Sequence, residues 1–123
     1  MDTRFYCALR LRKEMTKCRH DLEGRCEPVR KVLKLHPDFG KVVPRYHGLR
    51  KMRVNVPELA IGKRGGYRLI YRNKIMDQTM HVVLLTVYYK GDDSDLNDAE
   101  YKEIDEMAER ILSKPMAFDW TDE

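Results

Sequence analysis

The residues best suited to chemistry gather in one stretch, Gly62-Lys63-Arg64-Gly65-Gly66-Tyr67-Arg68-Leu69-Ile70-Tyr71. Gly65 and Gly66 let a backbone approach a ligand closely. Lys63 and Arg64 precede them and Arg68 follows. Strand alternation puts Tyr67, Leu69 and Tyr71 on one face and Arg68, Ile70 and Arg72 on the other. The stretch lacks the Lys-Ser/Thr ending of a Walker loop and runs into a strand rather than a helix. A second group, Tyr88-Tyr89-Lys90, closes an apolar strand. In an antiparallel meander that end lies beside the start of the 67–72 strand. Lys90 or a tyrosine is therefore expected to meet Arg68 and Lys63 in one basic pocket. Such a pocket suits a phosphodiester cut by its own 2′-hydroxyl. Cations would hold the non-bridging oxygens, and a lysine or a tyrosine of lowered pKa would move the proton. That chemistry demands no metal and no cofactor.

Other arrangements are weaker. His20 and Cys26 have no second pair to complete a zinc site. His81 lies inside an apolar strand and reads as a satisfied sheet residue. His36 and His47 stand beside turn residues and read as surface. No Ser/His/Asp or Cys/His set is legible. The acidic helix at 97–113 reads as a solvated face that could shield the basic pocket or dock a partner.

The net charge of +4 over 123 residues hides a strong polarity. Residues 1–90 carry 21 basic and 8 acidic side chains, a net of +13, whereas residues 91–123 carry 3 and 12, a net of −9. The stretch 41–74 holds ten basic residues, mostly arginine, against Glu58 as its one acid. Arginine forks onto phosphate in a bidentate manner, and such a block draws polyanions by steering and counterion release. Arg50, Lys51, Arg53 and Arg72 are thus candidate RNA- or phosphate-binding residues.

The elements that would position these groups read as one α+β domain over 1–123, with a core of about 5–113 and an acidic tail at 114–123. Residues 4–9 suit a short edge strand or a helix start. Residues 8–20 suit a helix, with Leu11, Met15 and Cys18 on one stripe. Gly24 is expected to break it. Pro28 would open a second helix, with Val29, Val32, Leu33 and Leu35 as its buried stripe. His36-Pro37-Asp38-Phe39-Gly40 would stop that helix. Residues 49–56 alternate as a half-buried strand, with Met52, Val54 and Val56 opposite Lys51, Arg53 and Asn55. Tyr67–Arg72 is a second strand and Asn73–Gln78 a polar connection. Met80–Tyr89 is apolar on both faces, as a central strand would be. Asn97 with Glu100 forms a capping box for a last helix carrying Tyr101, Ile104, Ala108 and Ile111. The expected architecture is two helices, a twisted antiparallel meander of three to four strands, and a C-terminal helix.

No apolar run approaches the roughly 18 residues of a membrane helix. The start of the chain does not read as a secretory leader. Three cysteines without CxxC spacing fit a reducing cytoplasm better than a disulfide framework.

Taken together, three segments resemble toxins of the RelE/ParE superfamily, in its HigB-like and RelE-like branch. They are Gly48-Leu49-Arg50-Lys51-Met52-Arg53-Val54 with Gly62–Tyr71, then Leu84–Lys90, then Ser94-Asp95-Leu96. The resemblance spans about residues 36–112. It implies a RelE-like fold and the toxin of a type II toxin–antitoxin module, a ribosome-dependent endoribonuclease. Such an mRNA interferase cuts translated mRNA in the A site without a metal and so inhibits translation. It implies catalytic roles for Arg68, at the family's Gly-Tyr-Arg position, and for Lys90, at the end of the last strand. Lys63 and Arg64 fall in the basic turn, and Tyr88 and Tyr89 flank the site. Leu59 and Ile61 stand where some relatives carry strand lysines, so phosphate clamping passes to Lys51, Arg53 or Lys63. The implied partners are a cognate antitoxin of helix-turn-helix type, the ribosome with its mRNA, and operator DNA through the antitoxin. No membrane is involved. The alternatives are a ParE-like inhibitor of DNA gyrase, and a catalytically inactive module that binds an antitoxin or nucleic acid.

Overall fold

A computed structural model describes residues 2–17, 22–54, 66–89 and 95–115. Its elements are β1 (Asp2–Cys7), α1 (Leu9–Lys17), α2 (Leu22–Leu35), β2 (Lys41–Val42), β3 (Leu49–Val54), β4 (Tyr67–Met76), β5 (Thr79–Tyr89) and α3 (Asp98–Ser113). The strands form one sheet in the order β1-β5-β4-β3-β2. β1 runs parallel to β5, and the other three pairings are antiparallel. The α+β class and the run of helices, meander and closing helix are as expected. The start of the chain takes the strand alternative, as β1, and the sheet is mixed with five strands rather than an antiparallel meander of three to four.

Burial explains the order. Val82 to Val87 are buried without interruption, so β5 needs cover on both faces and a neighbour on each side. One face packs Val82, Leu84, Leu69, Tyr71 and Met52 against Leu11 and Met15 of α1 and Val29 and Leu33 of α2. The other packs Val83, Leu85, Ile70 and Leu49 against Tyr101, Ile104, Ala108 and Ile111 of α3. Each such side chain contributes about 1.5–3 kcal/mol on leaving water. The β4–β5 register slips once. Ile70 faces Thr86 but Tyr71 faces Leu84, which leaves an extra residue on β5. Glu14 of α1 seats itself there, accepting hydrogen bonds from Thr86 Oγ1 at 2.7 Å and from the Val87 amide at 3.2 Å.

Several boundaries depart from the sequence reading. α2 begins at Leu22 and runs through both Gly24 and Pro28. Pro28 offers no N–H to the Gly24 carbonyl, a local loss of about 3 kcal/mol in an isolated helix. Docking of Val29 and Leu33 offsets it, while Leu35, expected in the buried stripe, is exposed. The polar stretch 73–78 is mostly strand, and only Asp77 and Gln78 turn. Their φ values of 51° and 64° are those of a tight two-residue hairpin. β2 is too short to carry any periodicity. The capping box forms as expected, with Glu100 N–H donating to Asn97 Oδ1 at 2.8 Å and Asn97 N–H to Glu100 Oε1 at 3.1 Å.

Gly40 packs tightly beneath β3. A Cβ there would lie 2.9 Å from the Lys51 carbonyl oxygen and from the Tyr71 ring. Its N–H donates to Tyr71 Oη at 2.8 Å, and that hydroxyl donates to the Pro37 carbonyl at 3.1 Å. Gly40→Ala is expected to destabilise the fold by about 1–3 kcal/mol, because neither the backbone nor the buried ring can yield. Gln78→Gly is expected to stabilise it by about 0.5–1 kcal/mol by removing a side chain from a left-handed position. Urea denaturation of the two variants beside wild type checks both directions.

Candidate functional site

The pairing of β3 with β4 and of β4 with β5 brings the expected cations together. Arg53 faces Arg68 across the strands, and Arg68 faces Tyr88. Met52, Val54 and Leu69 point into the α1/α2 core, so alternation turns Lys51, Arg53 and Arg68 towards the α3 side. Lys41, Lys51, Arg53 and Arg68 line a cleft of about 630 Å³ together with Phe39, Gly40 and Met52. No acid is among the described residues that line it. Phe39 is 60% exposed, an open ring beside four cations. Two arginines directly opposite on neighbouring strands repel each other, by about 0.2–1 kcal/mol in typical pairs. An anion between them would turn that repulsion into attraction. Arg68 is only 6% exposed, so most of its side chain is covered by the packing around the sheet.

At the edge of this cleft Asp95 is a hub. Its Oδ1 accepts from Tyr88 Oη at 2.8 Å, from Tyr101 Oη at 2.8 Å and from its neighbour's amide, Leu96 N–H, at 2.7 Å. Lys51 Nζ donates to Asp95 Oδ2 at 3.2 Å and to Tyr101 Oη at 3.2 Å. Burial works to raise the Asp95 carboxyl, but the bonds from Tyr101, Tyr88, Leu96 and Lys51 outweigh it and hold it at about 2. Burial also pushes the Tyr88 and Tyr101 phenols up, and the bond to Asp95 adds to both. Tyr88 is therefore not a tyrosine of lowered pKa. Tyr88 stays protonated and acts as a donor. Lys51 loses some preference for its charged form through burial, yet its bonds to Tyr101 and Asp95 leave its pKa raised, so it remains a cation.

The remaining expected residues separate. Arg72 is buried and donates to Glu109 Oε1 at 2.5 Å, with Asp105 Oδ1 at 3.7 Å. That bond holds the Glu109 carboxyl below its ordinary range. Arg50 donates to the Gly40 carbonyl at 2.7 Å and the Asp38 carbonyl at 3.0 Å, tying down the 38–40 turn. Both arginines are thus occupied within the fold. Tyr89 turns to the α1/α2 side, edge-on to Tyr67 at 5.3 Å. Lys63, Arg64 and Lys90 lie outside the described residues, as do His20 and the side chain of Cys26. His81 is a satisfied sheet residue, stacked on Tyr6 with Nδ1 2.6 Å from its hydroxyl. Among the described residues no cluster of three or more His, Cys, Asp or Glu could hold a metal. Sequence reasoning missed Phe39, Lys41, Asp95 and Tyr101 as site residues. In sequence Tyr101 reads as part of the stripe of the last helix, and nothing local marks Asp95 as the group that gathers Lys51 and two tyrosines.

No known protein-family model matches the chain.

Asp95→Asn is expected to lower stability at neutral pH by about 1 kcal/mol, a figure reduced for its exposure to water. The carboxyl is depressed in the folded state, so its contribution is present above the unfolded value near 4 and fades as pH falls towards 2. Denaturant melts of wild type and variant should therefore differ at pH 7 and converge at acid pH. A gap that stays constant down to about pH 2 would show that the ionised carboxylate is not what holds the cluster.

Proposed function

We propose that this chain is the toxin of a type II toxin–antitoxin module, of RelE-like fold, and that it acts as a metal-independent endoribonuclease on mRNA in the ribosomal A site. The observation that carries the reading is the cleft of Lys41, Lys51, Arg53 and Arg68, lined by four cations, an exposed phenyl ring and, among the described residues, no acid. A single-stranded RNA suits that surface, with phosphates for its cations and a base to stack on Phe39. The resemblance of residues 36–112 to the superfamily supports the same reading. Arg68 and Arg53 hold the non-bridging oxygens, where extra negative charge develops during cleavage. Lys51 lines the cleft while its Nζ is tied to Asp95 and Tyr101. Lys63, Arg64 and Lys90 extend the basic surface in this proposal. The partner is an antitoxin whose acidic segment neutralises the cleft and so blocks RNA.

Induced expression with primer extension on a reporter mRNA tests the proposal. Wild type is expected to arrest growth and to leave cuts confined to translated regions. Arg68→Ala should reduce cutting by roughly 100-fold and Arg53→Ala by roughly tenfold, as losses of charge stabilisation of this kind do. Because Arg68 is buried, Arg68→Lys and thermal melts accompany it to separate lost chemistry from lost fold. Arrest with intact mRNA and disturbed DNA supercoiling would move the assignment to a gyrase inhibitor. A folded Arg68→Ala protein that cuts like wild type would remove Arg68 from the site.

A further inference from the structure

Lys51 stands at a junction. With Arg53 and Arg68 it lines the phosphate cleft, yet its Nζ lies on Asp95, which does not line that cleft. Arg53 follows it by two residues on β3, so both side chains leave the same face about 6.6 Å apart. Arg68 faces Arg53 across the strands. A lysine carries its charge as a point on a flexible four-carbon stem. Rotation about that stem swings Nζ between the acid at the edge and an anion held beside Arg53, with no movement of β3.

The cluster around Asp95 is built so that this move leaves no group stranded. Tyr88, Tyr101 and Leu96 donate to Asp95 Oδ1, and none of these bonds passes through Lys51. Lys51 Nζ lies nearer Oδ2, at 3.2 Å against 3.4 Å to Oδ1. The Asp95 side chain is 45% exposed, so water replaces Nζ when it leaves. The Tyr101 hydroxyl loses the bond it accepts from Lys51 but keeps the one it donates to Asp95. An ion pair this exposed contributes little to stability, so separating its members costs little.

We infer that Lys51 is an exchangeable cation of the cleft, held by Asp95 in the free protein and passed to an RNA phosphate on binding. The inference rests on the reading of the cleft as an RNA site. A strand gripped by Arg53 and Arg68 presents its neighbouring phosphate to Lys51 at high effective concentration, which a free anion does not. Asp95 is therefore a competitor for Lys51 that a polyanion overcomes. It lowers the affinity of the complex, and it lowers the positive potential of the cleft in the free protein. The tyrosine donors keep the carboxylate in place for the return of Lys51 when RNA departs.

The test is equilibrium binding of a single-stranded 2′-O-methyl RNA, which cannot be cut by its own 2′-oxygen, over a range of salt concentrations. Wild type, Asp95→Asn and the double variant Lys51→Gln with Asp95→Asn are compared, with thermal melting of each. Asparagine keeps an oxygen for the tyrosines but lacks the charge that holds Lys51. Asp95→Asn is expected to bind about two- to fivefold tighter than wild type, the fold-change equivalent of an exposed ion pair. Each phosphate neutralised on a single strand steepens the dependence of log affinity on log salt by about 0.7. Wild type and Asp95→Asn are expected to share one slope, because Lys51 reaches phosphate in both. The double variant is expected to be shallower by about 0.7. A wild-type slope that matches the double variant and not Asp95→Asn leaves Lys51 on Asp95 in the complex and overturns the inference. So does Asp95→Asn that binds no tighter than wild type. If Asp95→Asn melts below the assay temperature, Lys51→Gln alone decides. A slope about 0.7 shallower than wild type supports the exchange, and an unchanged slope overturns it. Wild type that does not bind the RNA even at low salt overturns the reading of the cleft as an RNA site, and the exchange with it.

Discussion

Burial of β5 on both faces is the constraint on which the rest of the structure depends. A strand with no solvent side must be covered twice, so α1 and α2 take one face of the sheet and α3 the other. It must also be paired on both edges, which places β4 on one side and β1 on the other. Once α3 lies across the sheet, its start falls beside Lys51 and Tyr88 and its middle beside Arg72. The positions of Asp95, Asp105 and Glu109 follow from that packing. The hydrophobic arrangement of one strand thereby decides which cations receive acidic partners.

This division of charge gives the surface its character. The basic body and acidic end of the chain meet along α3. Glu109 engages Arg72, Asp95 engages Lys51, and Asp98 lies 3.7 Å from Arg45. The exposed pairs among these add little stability, with a median of about 0–1 kcal/mol. Their effect is on the electrostatic field. Lys41, Arg53 and Arg68 line a cleft that none of the described acids of α3 lines, so positive potential concentrates there rather than spreading over the sheet. The acidic helix read as a solvated face is, on its inner side, the counterweight to the sheet's cations.

Much of the fold was legible because its signals are local. Lys51 and Arg53 alternate with Met52 and Val54, the run from Val82 to Val87 has no polar face, and Asn97 with Glu100 announces a helix start. What escaped lacks a local signal. Lys41 and Val42 form a strand only because β3 offers an edge. Gly24 and Pro28 remain helical because α2 is held from outside, by the docking of Val29 and Leu33. Asp77-Gln78 makes a tight turn without the glycine that usually marks one. The site divides in the same way. Arg68, Arg53 and Lys51 were legible as a basic group on alternating strands. The joining of Asp95 to Tyr88, to Tyr101 and, across 44 residues of chain, to Lys51 exists only in three dimensions. The burial of Arg68, and the capture of Arg50 and Arg72 by partners within the fold, could not be read from charge alone.

The parallel strand at the start of the chain has a consequence in time. β1 finds its neighbour in β5, and 75 residues separate Tyr6 from His81, which touch in the finished sheet. During synthesis β1 emerges before β5 and must wait for a strand made some 75 residues later. Closing so long a loop is entropically slow, and topologies dominated by distant pairings fold late. The groups that α3 contributes arrive later still. A nascent chain of this design is therefore incomplete, its sheet open and one face uncovered, until β5 and α3 have left the ribosome.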